Sequence, residues 1–105
     1  MRLWATSDLH LSYPENRAAV DRLPAYPDDW LIVAGDVGET LQHAAWAWRR
    51  LTDRFARVIW TPGNHDLWSV QADAPRGEAL YRAWCLLAGE FGVLTPEDPW
   101  STWEG

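Results

Sequence analysis

The sequence contains no lysine. Its basic charge comes from nine arginines, set against fifteen acids for a net charge of −6. A chain of that balance has no basic footprint for a phosphate backbone, so a long nucleic acid is disfavoured as a partner. The acids are free to serve bound cations. Cysteine is nearly absent too. A lone Cys85 cannot close an internal disulfide, and a secreted, disulfide-stapled scaffold is not expected. No apolar leader is expected, since Met1-Arg2-Leu3-Trp4 runs straight to Asp8. No stretch is long enough to span a bilayer. A soluble cytoplasmic protein with no membrane partner is the expectation. Internal repeats and low-complexity segments are lacking as well.

What the chain has in abundance is tryptophan, at nine residues. With 48% hydrophobic and 23% charged residues the composition is globular, and indoles at that density belong in a core or an interface. At 105 residues the chain is one domain at most, or part of one, with room for a small core.

Arg2 to Ser7 reads as an opening strand. Pro14 suits a first helical turn, Glu15 favours the helix dipole, and the helix is expected to end by Leu23, before Pro24. Pro24 to Asp29 reads as a loop. Trp30-Leu31-Ile32-Val33-Ala34 is an unbroken apolar run, as in a strand covered on both faces. Leu41, Ala44, Ala45, Trp48, Leu51 and Phe55 recur at helical spacing, which predicts a helix from about Thr40 to Arg54, with Thr40 the closer cap candidate and Asp36 the other. Arg57 to Thr61 is a third strand, and Leu67 to Gly77 a loop. Leu80, Trp84, Leu87 and Phe91 mark a third helix, closed by Gly92. Val93-Leu94 suits the start of another strand, and Thr95 to Gly105 shows no period.

The order βαβαβα predicts an α/β fold with mostly parallel strands joined by right-handed crossovers. Ligands of such sheets bind beyond the carboxyl ends of the strands. Each strand here ends in a loop rich in ligating groups: Asp8 and His10, then Asp36, then Asn64, His65 and Asp66. Asp8 and Asp36 side by side would repel each other, and a divalent cation relieves that repulsion. Mixed oxygen and imidazole donors suit manganese, iron or zinc. One carboxylate can bridge two ions, which in two-metal sites clamp the entering and leaving oxygens of a displacement. Bland readings stand beside these. Gly35-Asp36 can be turn chemistry, and Gly63-Asn64 likewise. A turn gives no reason for His65-Asp66.

The blocks Asp8-Leu9-His10, Gly35-Asp36 and Gly63-Asn64-His65-Asp66 resemble the calcineurin-like metallophosphoesterase family. The family pattern runs Asp-x-His, Gly-Asp, Gly-Asn-His-Asp/Glu, a lone His, then Gly-His-x-His. The resemblance implies the N-terminal half of a metallophosphoesterase α/β/β/α sandwich, with residues 1–105 as a single, partial domain. It implies a hydrolase acting on a phosphomonoester or phosphodiester through two divalent ions (manganese, iron or zinc) and a metal-activated hydroxide. Asp8 and His10 would bind the first metal, Asp36 both, and Asn64 the second. His65 would contact the phosphoryl oxygen or assist the leaving group, and Asp66 would hold the His65 ring in its working tautomer.

The remaining family histidines have no counterpart. The third histidine, His43, lies mid-helix and reads as a surface or half-buried residue. The second metal site is therefore expected to be incomplete. A non-catalytic interaction module is the alternative, with self-association or a complementing C-terminal chain as partner. Glu39, close to the site in sequence, reads first as a solvated residue, with contact to the metal ligands' surroundings as the alternative. Trp68 reads equally as a wall of the substrate cleft or a packing residue. Trp48 and Trp84 read as core, and Cys85 as a small buried hydrophobe.

Overall fold

The computed structural model describes residues 1–68 and 76–104. Strand β1 (Leu3–Thr6) leads to helix α1 (Pro14–Asp21), strand β2 (Tyr26–Ala34), helix α2 (Leu41–Arg54), strand β3 (Phe55–Thr61) and helix α3 (Gly77–Glu90). A short 3-10 turn, His65–Leu67, sits between β3 and α3. Residues 69–75, within the expected third loop, lie outside the described residues.

The sheet is parallel, in the order β1-β2-β3. Ala5 pairs with Ile32 and Ile32 with Ile59, so the three carboxyl ends finish at one level. Leu94 adds an isolated parallel bridge to Ile59, which is where the expected further strand begins. Stepping through neighbouring strands in one direction with right-handed crossovers puts the connecting helices on one side. The helices pack in series, α1 on α2 and α2 on α3, over the buried residues Leu31, Val33, Val58 and Trp60.

That arrangement corrects two expectations. The apolar run of β2 is not covered on both faces: Leu31 and Val33 are buried, Trp30 and Ile32 are half-buried, and Ala34 is exposed. The strand also begins earlier than expected, at Tyr26, with a register irregularity between Tyr26 and Trp30. Such a bulge accommodates Pro27, which has no N–H to give the ladder. Asp29, expected in a loop, is buried in the strand. It accepts hydrogen bonds from the Arg2 backbone N–H and the Trp4 indole, both at 2.8 Å. The Trp4 indole, followed by the Arg2 N–H, holds its carboxyl below the usual range, against the opposing effect of burial.

Helix α2 starts as its cap predicts, with the Thr40 hydroxyl accepting from the His43 N–H at 3.1 Å. It runs without a loop into β3, so Phe55 is the first strand residue and not a last helical one. Trp48, Trp60 and Trp84 form the centre of the core. Trp60 and Trp84 stack at 5.2 Å, and Trp48 meets each edge-on at 6.4 and 6.5 Å. Cys85 is only partly buried.

Candidate metal centre

The loops after β1 and β2 run side by side beyond the sheet. The N–H groups of Asp8, His10 and Leu11 donate to the carbonyls of Gly35, Asp36 and Val37 at 3.1, 3.0 and 2.9 Å. Fully buried Leu11 and Val37 anchor the pair in the core. The loop after β3 comes equally close. A Cβ on Gly35, which has φ of +79°, would lie 2.5 Å from the Gly63 nitrogen. A Cβ on Gly63 would run into the Asp36 carboxylate and stand 2.6 Å from its nitrogen. Both motif glycines are there because nothing larger fits.

This packing brings Asp8, His10 and Asp36 together. One ligand atom from each lies within 4.8 Å of the others. All three are left-handed, with φ of +57°, +44° and +55°, and no other non-glycine residue with positive φ occurs among the described residues. A side chain in that region strains its backbone by about 1–3 kcal/mol, and such strain collects at functional sites. The Ser7 hydroxyl donates to Asp8 Oδ2 at 2.7 Å and His10 Nε2 lies 3.3 Å from Asp8 Oδ1. The Ser7 bond, helped by His10, holds the Asp8 carboxyl below its ordinary value, with burial acting the other way. Asp36 Oδ1 accepts the His65 N–H at 2.9 Å. Two carboxylates and an imidazole within this span fit a divalent ion.

Asn64 begins the 3-10 turn, exposed, with no capping bond from its side chain. His65 follows beside the cluster, its ring edge-on to His10 at 5.0 Å.

Asp66 departs from its expected role. Its carboxylate is 0% exposed and points away from the His65 ring, into the loops. Oδ2 accepts from the N–H groups of Asp36 and Gly63 at 3.0 Å and from the Trp60 indole at 3.3 Å. Oδ1 accepts from Val37 at 2.8 Å and Gly38 at 3.3 Å. Burial pushes this carboxyl above the usual range, and the Gly63, Gly38, Trp60 and Val37 donors pull it back. Asp66 ties the second and third loops together. The residue facing the His65 ring is Glu39, whose Oε1 lies 3.2 Å from Nδ1. Glu39 is half-buried, not freely solvated, and no spacing rule marks it in the sequence. His43 is half-buried with its Cβ against Gly38. Among the described residues its Nδ1 has no partner, and burial lowers its pKa.

Two carboxylates and an imidazole on two strand-end loops, with the Gly63 loop packed against them, form a candidate metal centre of the kind a metal-dependent phosphoesterase uses. Residues 1–102 match the family model of the calcineurin-like phosphoesterases, and the chain belongs to that family. Over 104 residues it is 46% identical to the [acyl-carrier-protein] phosphodiesterase PptH of Mycobacterium tuberculosis (strain ATCC 25618 / H37Rv), across 96% of this chain and 32% of that protein. It also matches the crystal structure of phosphopantetheinyl hydrolase (PptH) from Mycobacterium tuberculosis, with a TM-score of 0.90 at 45% identity, over 97% of this chain and 37% of that one. The chain thus spans about a third of the length of the relative it matches. The family implies divalent metals. Among the described residues no helix is long and apolar enough to cross a membrane.

Proposed function

We propose that this chain carries the metal-binding portion of a phosphodiesterase that cleaves a phosphopantetheinyl ester from an acyl carrier protein. The observation that supports it most is the convergence of Asp8, His10 and Asp36 within 4.8 Å on three left-handed residues. The substrate class comes from the relative, named for the acyl carrier protein and the phosphopantetheinyl group. Asp8, His10 and Asp36 hold the first ion. Asp36 and Asn64 contribute to a second, which is short of the three or more protein ligands a zinc-like site usually needs. When bound, the ions supply Lewis acidity and a water of lowered pKa.

The chain's own groups do the rest. Glu39 takes the Nδ1 side of His65 at 3.2 Å and leaves Nε2 for a phosphoryl oxygen or the leaving group. Asp36 keeps the His65 backbone in register through the 2.9 Å bond from its N–H. Asp66 holds the two loops at a fixed separation. A cytoplasmic setting goes with this reading, because a lone cysteine such as Cys85 stays reduced there.

The test is to titrate the purified chain with manganese, count bound ions, and measure hydrolysis of an aryl phosphodiester. At least one ion per chain is expected, and Asp36→Asn should weaken it at least tenfold. No bound ion, or an unchanged affinity in Asp36→Asn, would sink the assignment.

The half-buried residues Trp30 and Ile32, with exposed Leu3 on the edge strand, favour a second reading. There the chain acts as an interaction module through self-association or through a complementing chain. Size-exclusion chromatography with light scattering separates the two. A monomer at all concentrations counts against self-association.

A further inference from the structure

His65 is followed three residues later by Trp68, which closes the 3-10 turn. Side chains at i and i+3 of a 3-10 turn eclipse. The indole therefore lies against the imidazole, with ring centroids 4.1 Å apart and planes at 46°. Trp68 is 51% exposed, unlike the core indoles of Trp48, Trp60 and Trp84, so burial does not explain its place. The Glu39 contact fixes only one direction of the His65 ring. A ring held at Nδ1 alone can still swing about that hydrogen bond, carrying Nε2 with it. Contact with a flat indole removes this freedom, and the His10 edge at 5.0 Å bounds the ring elsewhere.

We propose that Trp68 is a positioning residue for His65: its indole fixes the plane of the imidazole and so the direction of Nε2. The functional side of this role rests on His65 acting at the phosphoryl group, as proposed above. The positional side does not.

The experiment is proton NMR of the metal-free chain at one pH, with the His65 ring signals identified by their loss in His65→Gln. The indole ring current should displace those signals upfield. Trp68→Ala should abolish the displacement and Trp68→Phe should keep part of it. Both variants should melt within about 2–4 °C of the parent, as for an exposed substitution. In manganese-loaded protein, Trp68→Ala should lower kcat about 10–100-fold on an aryl phosphodiester with KM unchanged, because small misplacements of a reacting group are costly. Trp68→Phe should recover most of that loss. Ring signals unmoved in Trp68→Ala would overturn the proposal, as would equal kcat losses in the two variants. Absence of turnover in the unaltered chain would count against the phosphoesterase reading alone, and the ring signals would still decide the position of His65.

Discussion

Replacing Asp66 with asparagine separates two roles for this carboxylate. The amide keeps one oxygen. Its best orientation leaves that oxygen at the Oδ2 site, facing the N–H groups of Asp36 and Gly63 and the Trp60 indole. The NH2 group then faces the Val37 and Gly38 donors, which had bonds of 2.8 and 3.3 Å. An unsatisfied buried donor costs about 1–3 kcal/mol, and the longer Gly38 bond belongs at the low end. A neutral amide also escapes the burial penalty that raises the carboxyl, which offsets part of the loss. The net destabilisation is about 2–4 kcal/mol, a large share of the roughly 5–15 kcal/mol that holds such a domain together. Melting followed by circular dichroism in metal-free buffer should drop by about 10–25 °C. Glu39→Gln is the contrast. Its half-exposed pair with His65 contributes about 0–1 kcal/mol, so its melting should barely move. If Asp66→Asn melts with the parent while Glu39→Gln is the less stable, the loop-tying role of Asp66 is wrong.

Gly63→Ala should cost at least tenfold in manganese affinity by calorimetry, since its Cβ meets the Asp36 carboxylate; Gly89→Ala, with nothing within 4 Å, should not. Equal affinities in both variants would contradict the steric argument. Thr40→Ala removes the cap of α2 and should lower stability by about 1 kcal/mol in urea denaturation. For Asp29 the folded pKa lies below that of an ordinary aspartate, so its contribution is present above the unfolded pKa and is lost as pH falls through the folded one. Asp29→Asn should therefore show a flatter decline of melting temperature below pH ~4, and parallel declines would refute the bond pattern at Trp4.

Much of this fold can be read from local signals. Thr40 followed by apolar residues at helical spacing marks α2 to within a residue, and Gly92 with φ of +74° closes α3 as its position suggests. The two prolines near Tyr26 hide the start of β2, because a bulge that tolerates Pro27 leaves no mark in the pattern. One-sided burial of the sheet is equally hidden, since Trp30 and Ile32 are as apolar as Leu31 and Val33. At the site, strand ends followed by Asp, His and Asp are enough to suggest a cluster. The partner of His65 is not legible. Asp66 is adjacent in sequence, but the tight turn sends its carboxylate inward, and Glu39 arrives from a loop 26 residues away.

The left-handed backbone at Asp8, His10 and Asp36 restricts the alphabet at these positions. Aspartate, asparagine and histidine are the side chains most often found in that region, and aspartate and histidine are also good ligands for divalent ions. Glutamate shares the carboxylate but neither the reach nor that conformational preference. Anyone redesigning this centre for a different ion must therefore change the loop geometry before changing its donors.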